Sequence, residues 1–263
     1  MSEPPPSRAR RRLALYAARA LLLFAVFFLW WALTELQLLP SFFFGRPLLV
    51  LRRVGEWFVS GRIYPHLGVT LVETALAFAL GTALGVAIGL WLGLSPFASA
   101  LLEPYVKAAN AMPRVILAPI FAVWFGLGIA SKVALGITLV FFIVFFNVYQ
   151  GVREVSPEVV ANVRMLGATR RQMLRHVYLP SATSWVFSSL HTSVGMAFVG
   201  AVVGEYLGSA AGVGYLILQA EGSFDIDTVY AGILVLTAFA LALDFLVTLT
   251  EARLLKWHPG RSD

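Results

Sequence analysis

Apolar residues in this chain fall into long blocks separated by short polar or basic segments. Six blocks with one charged residue or none lie at about 20–39, 67–94, 113–131, 133–152, 181–204 and 228–250. A helix of about 20 apolar residues is long enough to cross a hydrocarbon core of about 30 Å. The pattern therefore predicts an all-α polytopic membrane protein with six transmembrane helices, which places both termini on the same side.

The segments around these blocks complete the predicted organisation. Residues 1–18 are expected to form a cytoplasmic basic tail, residues 19–257 a single transmembrane domain and residues 258–263 a second cytoplasmic tail. The first block resembles a signal peptide in length, but it contains Trp30 and Trp31 and has no small-x-small cleavage site. An uncleaved first span is therefore favoured. Residues 40–66 mix arginine with bulky apolar side chains, as an amphipathic interfacial segment does.

Composition supports the membrane class and removes several kinds of chemistry. Hydrophobic residues make up 59% of the chain and charged residues 13%, whereas soluble domains carry about 25% charged residues. The absence of cysteine excludes a disulfide framework and a thiolate metal site, and four scattered histidines do not suggest a metal centre. The net charge of +6 arises mostly from residues flanking the spans. It therefore reflects topology rather than nucleic-acid binding, and no metal or cofactor is expected.

The distribution of Lys and Arg predicts the orientation. With the amino terminus inside, thirteen of the 20 basic residues lie in the loop at 153–180, before the first apolar block or after the last one. Five lie outside, and the loop from 205 to 227 has four acids and no Lys or Arg. Because cytoplasmic loops are enriched in basic residues, both termini are expected in the cytoplasm.

Glycines in the second span form a regular series. Gly81, Gly85, Gly89 and Gly93 recur at every fourth position and therefore share one helix face. Small residues on such a face allow another helix to approach closely. Helix packing is the favoured interpretation, and a thin face lining a pathway is compatible with it.

The loop at 153–180 contains the signals of two short helices. Ser156 is a candidate cap, followed by Pro157 at the first helical position and Glu158 in the first turn. Gly167 is expected to end this helix, and Thr169 to cap a second one running towards Leu179 and Pro180. An ordinary connection needs neither 28 residues nor two caps. We therefore expect a cytoplasmic docking surface for a soluble partner.

The spacing in this loop resembles a family motif. The inner-membrane permeases of binding-protein-dependent ABC transporters carry Glu-Ala-Ala, three residues, Gly, nine residues, Ile, one residue and Leu-Pro. This chain has Gly167, Val177 and Leu179-Pro180 at the matching positions, with Ala161-Asn162-Val163 in place of Glu-Ala-Ala. Further segments resemble the nitrate, sulfonate and taurine branch: 118–120, 124–128, 166–170, 203–208, 212–217 and 244–257. The resemblance covers residues 66–257.

This resemblance implies a type I ABC importer permease in the bacterial inner membrane. The chain has no Gly-x-x-x-x-Gly-Lys-Ser/Thr motif, so the ATP would be bound by a separate cytoplasmic ATPase. The other implied partners are a periplasmic or lipid-anchored solute-binding protein and a second copy of the permease. No catalytic residue is expected. The residues expected to dock on the ATPase are Pro157, Glu158, Ala161, Asn162, Val163, Gly167, Ala168, Thr169, Arg170, Leu179 and Pro180.

Four ionisable residues in or beside the spans are candidates for a pathway or gate. Charges at membrane depth cost at least a few kcal/mol, so Glu73, His191, Glu205 and Asp244 invite a functional explanation. Glu73 lies near the predicted membrane surface. The favoured interpretation is therefore that its carboxylate reaches the interface and is not part of a pathway. For His191 a helix–helix hydrogen bond is the more frequent use, and for Asp244 a structural pair and a pathway role are equally open.

Two other functional classes are compatible with a polytopic membrane protein. A secondary transporter or channel would need no ATPase but would normally show paired broken helices or an intramembrane charge relay. An intramembrane enzyme would need convergent catalytic groups, and no Gly-x-Ser-x-Gly motif is present. Within the importer hypothesis the leading solute is a sulfonate, nitrate or taurine-like anion. A vitamin precursor or other heterocycle is the alternative.

Overall fold

The computed structural model describes the backbone of residues 8–254, and all of its regular structure there is helical. The predicted tail residues 1–7 and 258–263 lie outside this described part. The helices are α1 (Arg8–Glu35), α2 (Ser41–Phe44), α3 (Pro47–Val59), α4 (Ile63–Leu94), α5 (Pro96–Ala111), α6 (Leu117–Phe125), α7 (Ile129–Arg153), α8 (Pro157–Met165), α9 (Arg170–Met173), α10 (Leu179–Ser188), α11 (Leu190–Gly208), α12 (Val213–Gly222) and α13 (Ile226–Leu254).

Five helical segments within the described residues are long and apolar enough to cross a membrane, and the bent pair α5–α6 brings the number to six. The predicted all-α, multi-span fold is therefore present. The first helix begins at Arg8, ten residues before the predicted end of the basic tail at residue 18. Its basic first turns are thus helical.

The centre of the molecule is the contact between α4 and α7. A Cβ atom added to Gly81 would lie 2.7 Å from the Cβ of Val140, and one added to Gly85 would lie 2.8 Å from the Cβ of Val144. Gly89 and Gly93 meet Val148 and Val152 in the same way. Each of these four glycines of α4 thus packs against one valine of α7. Because residue numbers rise together along both helices, α4 and α7 run in the same direction.

That parallel arrangement explains the segment between the two helices. The chain must return along their length between Leu94 and Ile129, and α5, a short 3₁₀ turn at Arg114–Ile116 and α6 provide this return. The third span predicted at 113–131 is therefore not one continuous helix. Its α-helical part, α6, has nine residues, which rise only about 14 Å. It ends at Gly126, whose φ is +77°, and α5 and α6 meet at a bend of 77°.

The remaining long helices run antiparallel to their neighbours. Gly200 on α11 lies against Gly136 on α7, and Gly204 lies against Lys132, so α11 runs opposite to α7. Phe198 on α11 packs against Phe239 on α13 with ring centroids 5.9 Å apart, and the earlier His191 lies 3.1 Å from the later Asp244, so α13 runs opposite to α11. The ends of α7 and α13 and the loop at 153–180 therefore lie at one end of the molecule, called here the loop end.

The opposite end, called here the α12 end, holds α12 together with α2 and α3. Val50, Trp57, Val213 and Ile217 share a buried apolar cluster with residues of α13. Arg53 forms a salt bridge of 3.3 Å with Asp225. The segment predicted as interfacial is thus helical and packs one face on the protein, while apolar side chains such as Phe43 and Leu48 on its other side stay exposed.

Candidate functional site

The loop at 153–180 folds as two capped helical turns around a glycine. Ser156 precedes α8, and its hydroxyl accepts a hydrogen bond of 3.3 Å from the backbone N–H of Val159. Pro157 stands at the start of the helix and Glu158 in its first turn. Each of these residues occupies the position that its chemistry favours at a helix amino terminus.

Gly167 ends α8 in a left-handed conformation, with φ at +80°. The backbone N–H of Gly167 donates to the carbonyl of Arg164, and that of Ala168 donates to the carbonyl of Val163. These two bonds form a Schellman motif, which favours glycine because other residues are strained at positive φ. The predicted end of the helix at Gly167 is confirmed.

Thr169 begins the second half of the loop with a capping box. Its hydroxyl accepts a hydrogen bond from the N–H of Gln172, whose side chain in turn accepts one from the N–H of Thr169. This helix was expected to end near Leu179 and Pro180. Instead, a π-helical turn at Leu174–Tyr178 connects α9 directly to α10. The wider turn ends two residues before Pro180 and contains His176, with whose carbonyl the proline ring would clash in a regular α-helix.

The apolar tip of the loop is unusually exposed. Met165 is 79% and Leu166 is 86% exposed, and the turn at Gly167 has open space around it. The other residues predicted to dock on an ATPase are mostly exposed as well, with Val163, Ala168 and Leu179 half-buried. Large apolar side chains in water at the tip of a well-capped turn are typical of an interaction surface.

The loop is firmly connected to the bundle. Met173 is buried, and the hydroxyl of Ser181 donates a hydrogen bond of 2.7 Å to the carbonyl of Gly151 on α7. Trp185 lies so close to Gly151 that an added Cβ there would be 2.6 Å from its ring. The loop is therefore joined to α7 by a hydrogen bond and by close packing.

At the α12 end the structure brings together two of the four ionisable candidates. Glu73 on α4 and Glu205 on α11 are 1% and 0% exposed, and their side chains are within hydrogen-bond reach of each other. The interfacial position expected for Glu73 is therefore wrong. The helix face on which it lies turns inward, towards α7 and α11, rather than towards the membrane surface.

Glu205 holds the start of α12 in place. One of its oxygens accepts a hydrogen bond of 2.6 Å from Thr70 Oγ1, and the other accepts one of 2.7 Å from the N–H of Gly214. Gly212, at φ +105°, leaves the space that the Glu205 carboxylate occupies. Its N–H donates to Nδ1 of His66 at 3.1 Å. The segment 212–214 thus wraps around a buried carboxylate.

Lys132 completes this site and was not singled out from the sequence. It is 1% exposed, and its Nζ donates a hydrogen bond of 2.6 Å to the carbonyl of Leu127. Gly204 makes room for its aliphatic stem, because an added Cβ would lie 2.9 Å from Cγ of Lys132. Its positive charge interacts electrostatically with the carboxyl groups of Glu73 and Glu205. Thr70, Glu73, Lys132 and Glu205 are called here the acid cluster.

The other two candidates also form a pair. His191 Nδ1 on α11 and Asp244 Oδ1 on α13 are 3.1 Å apart, so the helix–helix hydrogen bond expected of His191 is present. Their side chains are 38% and 65% exposed and line a small cavity with Gly195 and Phe198. This pair lies nearer the loop end than the acid cluster does, since it is at the start of α11.

A third group of polar side chains lies at the loop end, and it was not predicted from the sequence either. Tyr149 on α7 contacts Ser99 and Glu103 of α5 and Arg153 of its own helix, with oxygen–oxygen distances of 2.5 Å and 3.1 Å to the first two. Glu103 also pairs with Lys107 at 2.6 Å. These residues fix the broken third crossing against α7. Within the described residues no group of three His, Asp or Glu side chains is placed to hold a metal ion.

Sequence comparisons give the family. Residues 81–256 match the family described as "Binding-protein-dependent transport system inner membrane component". A Bacillus subtilis protein named as an aliphatic sulfonates transport permease is 32% identical over 88% of this chain and 83% of its own. The riboflavin transport system permease protein RibX of Chloroflexus aurantiacus is 36% identical over 90% of this chain and 88% of its own.

The fold agrees with that assignment. A chain of the MetNI methionine ABC transporter, solved in an inward-facing conformation, superposes with a TM-score of 0.63 at 17% identity, covering 77% of this chain and 97% of that one. Sequence and fold thus agree along most of the chain. The chain therefore belongs to the inner membrane components of binding-protein-dependent transport systems, the permease subunits of ABC importers for small solutes.

Proposed function

We propose that this permease is driven by a separate cytoplasmic ABC ATPase that docks on the loop of α8, Gly167 and α9. The observation that carries the proposal is the apolar tip at Met165 and Leu166, exposed on a capped turn that continues through α10 into the bundle. Closure of the ATPase would move this turn as a rigid body. The movement would shift the spans between inward-facing and outward-facing states.

The stoichiometry and the remaining partner follow from the same mechanism. Each chain offers one docking loop in its described residues, and an ATPase dimer needs two, which supports a permease homodimer. A periplasmic or lipid-anchored binding protein would deliver the solute at the α12 end. In this orientation the loop end and both termini are cytoplasmic, which agrees with the excess of Lys and Arg there.

For the solute we propose a sulfonate, nitrate or taurine-like anion. The sulfonate permease among the relatives supports this choice. The riboflavin permease supports the alternative of a vitamin precursor or other heterocycle. Solute-stimulated ATP hydrolysis of the complete complex in liposomes, with an aliphatic sulfonate, nitrate, taurine and riboflavin tested separately, distinguishes these classes.

The proposed docking predicts a specific loss of affinity. Replacing Leu166 by serine should weaken ATPase binding about tenfold or more, since burying a leucine side chain contributes about 1.5–3 kcal/mol. Val59→Ser is the matched control, because Val59 is 91% exposed at the α12 end. The measurement is co-purification and titration of the ATPase in detergent.

The result also separates the functional classes. The docking proposal fails if Leu166→Ser and Val59→Ser bind the ATPase equally well. If the permease purifies without any ATPase and still moves solute in liposomes lacking ATP, the protein acts as a secondary transporter or channel instead.

A further inference from the structure

The acid cluster places two carboxylates and one ammonium group in a space that excludes water. Glu73, Lys132 and Glu205 are each at most 1% exposed. If all three were ionised, the cluster would keep one uncompensated negative charge. Such a charge is strongly unfavourable away from water, so a buried carboxylate without a partner normally takes up a proton.

The hydrogen bonds show which carboxylate is suited to remain ionised. Glu205 accepts hydrogen bonds from Thr70 Oγ1 and from the N–H of Gly214, one on each oxygen. The Thr70 hydroxyl also accepts a hydrogen bond of 3.3 Å from the N–H of Val213. Its single proton can point to the carboxylate at 2.6 Å or to the carbonyl of His66 at 3.0 Å, and an ionised carboxylate is the stronger acceptor. Donors on both oxygens stabilise the charged form of a carboxylate.

Glu73 has the opposite surroundings. Its Oε2 is buried and has no hydrogen-bond partner, and its carboxyl group lies within hydrogen-bond reach of another carboxylate, that of Glu205. Two carboxylates within hydrogen-bond reach can form a bond only if one of them carries a proton. The proton therefore belongs on Glu73, which then donates to Glu205.

We propose that Glu73 is a proton-binding site, occupied at neutral pH, and that the protonated Glu73, ionised Glu205 and charged Lys132 form a cluster of zero net charge. The charged and titratable groups facing Glu73 are Glu205 from α11 and Lys132 from α7. On the α12 side His66 and Tyr215 stack on each other, with ring centroids 6.3 Å apart. The cluster joins α4, α7, α11 and the start of α12.

Binding of this proton is linked to the packing of the α12 end. When α12 separates from α4 and α11, water reaches Glu73 and the carboxyl group releases its proton. The packed arrangement is therefore favoured at neutral pH and weakened as the pH rises. A permease that opens at this end would bind a proton on closing and release one on opening. This inference rests on the cluster alone and does not require the proposed ATPase or solute.

Infrared difference spectroscopy of the purified full-length permease tests the assignment directly. The wild-type protein should show the carbonyl stretch of a protonated carboxylic acid at neutral pH, and Glu73→Gln should remove it. Glu103→Gln is the matched control: Glu103 is paired with Lys107 outside the cluster and should lose only carboxylate bands. Loss of the band in Glu205→Gln but not in Glu73→Gln would overturn the assignment.

Thermal unfolding in detergent supplies a second readout. The midpoint of the wild-type protein should fall between neutral and alkaline pH, while that of Glu73→Gln should be less sensitive to pH and stay within about 3 °C of the wild-type value at neutral pH. If the glutamine variant does not fold, the intensity of the carbonyl band can be followed as a function of pH in the wild-type protein. That measurement tests whether a carboxyl group is protonated at neutral pH. Absence of that band at neutral pH would refute the proposal.

Discussion

At the scale of single residues, the acid cluster shows how strongly burial changes the role of a charged side chain. Lys132 and Lys107 have the same chemistry, but Lys132 is 1% exposed whereas the side chain of Lys107 is 63% exposed. The first lies buried with two carboxyl groups, Glu73 and Glu205, and balances the charge of one of them. The second forms an ion pair in contact with water, where solvent weakens the attraction.

This difference predicts unequal effects of the same substitution. Lys132→Met should lower the free energy of unfolding by about 3–5 kcal/mol, because it leaves a buried carboxylate without its compensating charge. Lys107→Met should have little effect. Thermal or denaturant unfolding of the detergent-solubilised protein measures both, and equal effects would mean that the charge of Lys132 does not hold the cluster together.

At the scale of elements, the α4–α7 contact depends on the absence of side chains. Each of the four glycines of α4 faces a valine of α7, and an added Cβ atom would lie within 3.0 Å of that valine. Close backbone approach of this kind is a common way for membrane helices to associate, since no hydrophobic effect drives them together within lipid.

Alanine at one of these glycines should therefore separate the helices. A Cβ at Gly85 would lie 2.8 Å from Cβ of Val144 and 3.0 Å from the carbonyl oxygen of Phe141, so Gly85→Ala should destabilise the protein by about 1–3 kcal/mol. Gly68→Ala on the same helix meets open space and should be neutral or slightly stabilising. Unfolding midpoints of the two variants provide the comparison. A neutral Gly85→Ala would mean that α4 and α7 can move apart at no cost.

At the scale of the whole molecule, the directions of the helices place different elements at its two opposite ends. The capped loop and the end of α13 lie at the loop end, while the acid cluster and α12 lie at the other. The ATPase and the binding protein proposed as partners would meet opposite ends, which is the arrangement that a solute pathway through the membrane requires.

Single cysteines test this orientation cleanly, because the natural chain contains none. A membrane-impermeant maleimide added to intact spheroplasts should label Ala210→Cys, at the exposed turn before α12, and should not label Arg171→Cys on α9. Both should react after the membrane is permeabilised. Labelling of the α9 position in intact cells would reverse the proposed topology.

The amino-acid sequence by itself determined the class of fold, the positions of most of the long apolar helices and the caps and glycine turn of the loop at 153–180. These properties depend on local chemistry: long apolar blocks must be helical in lipid, and Ser156, Gly167 and Thr169 specify caps and a turn through their own backbone preferences. The glycine series likewise indicated where a close helix contact would form, since its period is that of a helix face.

Only the tertiary structure decided what lies opposite each of these positions. It placed Glu73 beside Glu205 although they are far apart in the sequence, buried Lys132 in the same cluster, and paired His191 with Asp244. It also replaced one predicted span by the bent pair α5–α6. The physical reason is the same in each case: hydropathy reports how apolar a segment is, whereas the partner of a buried charge and the path between parallel helices depend on how distant segments pack.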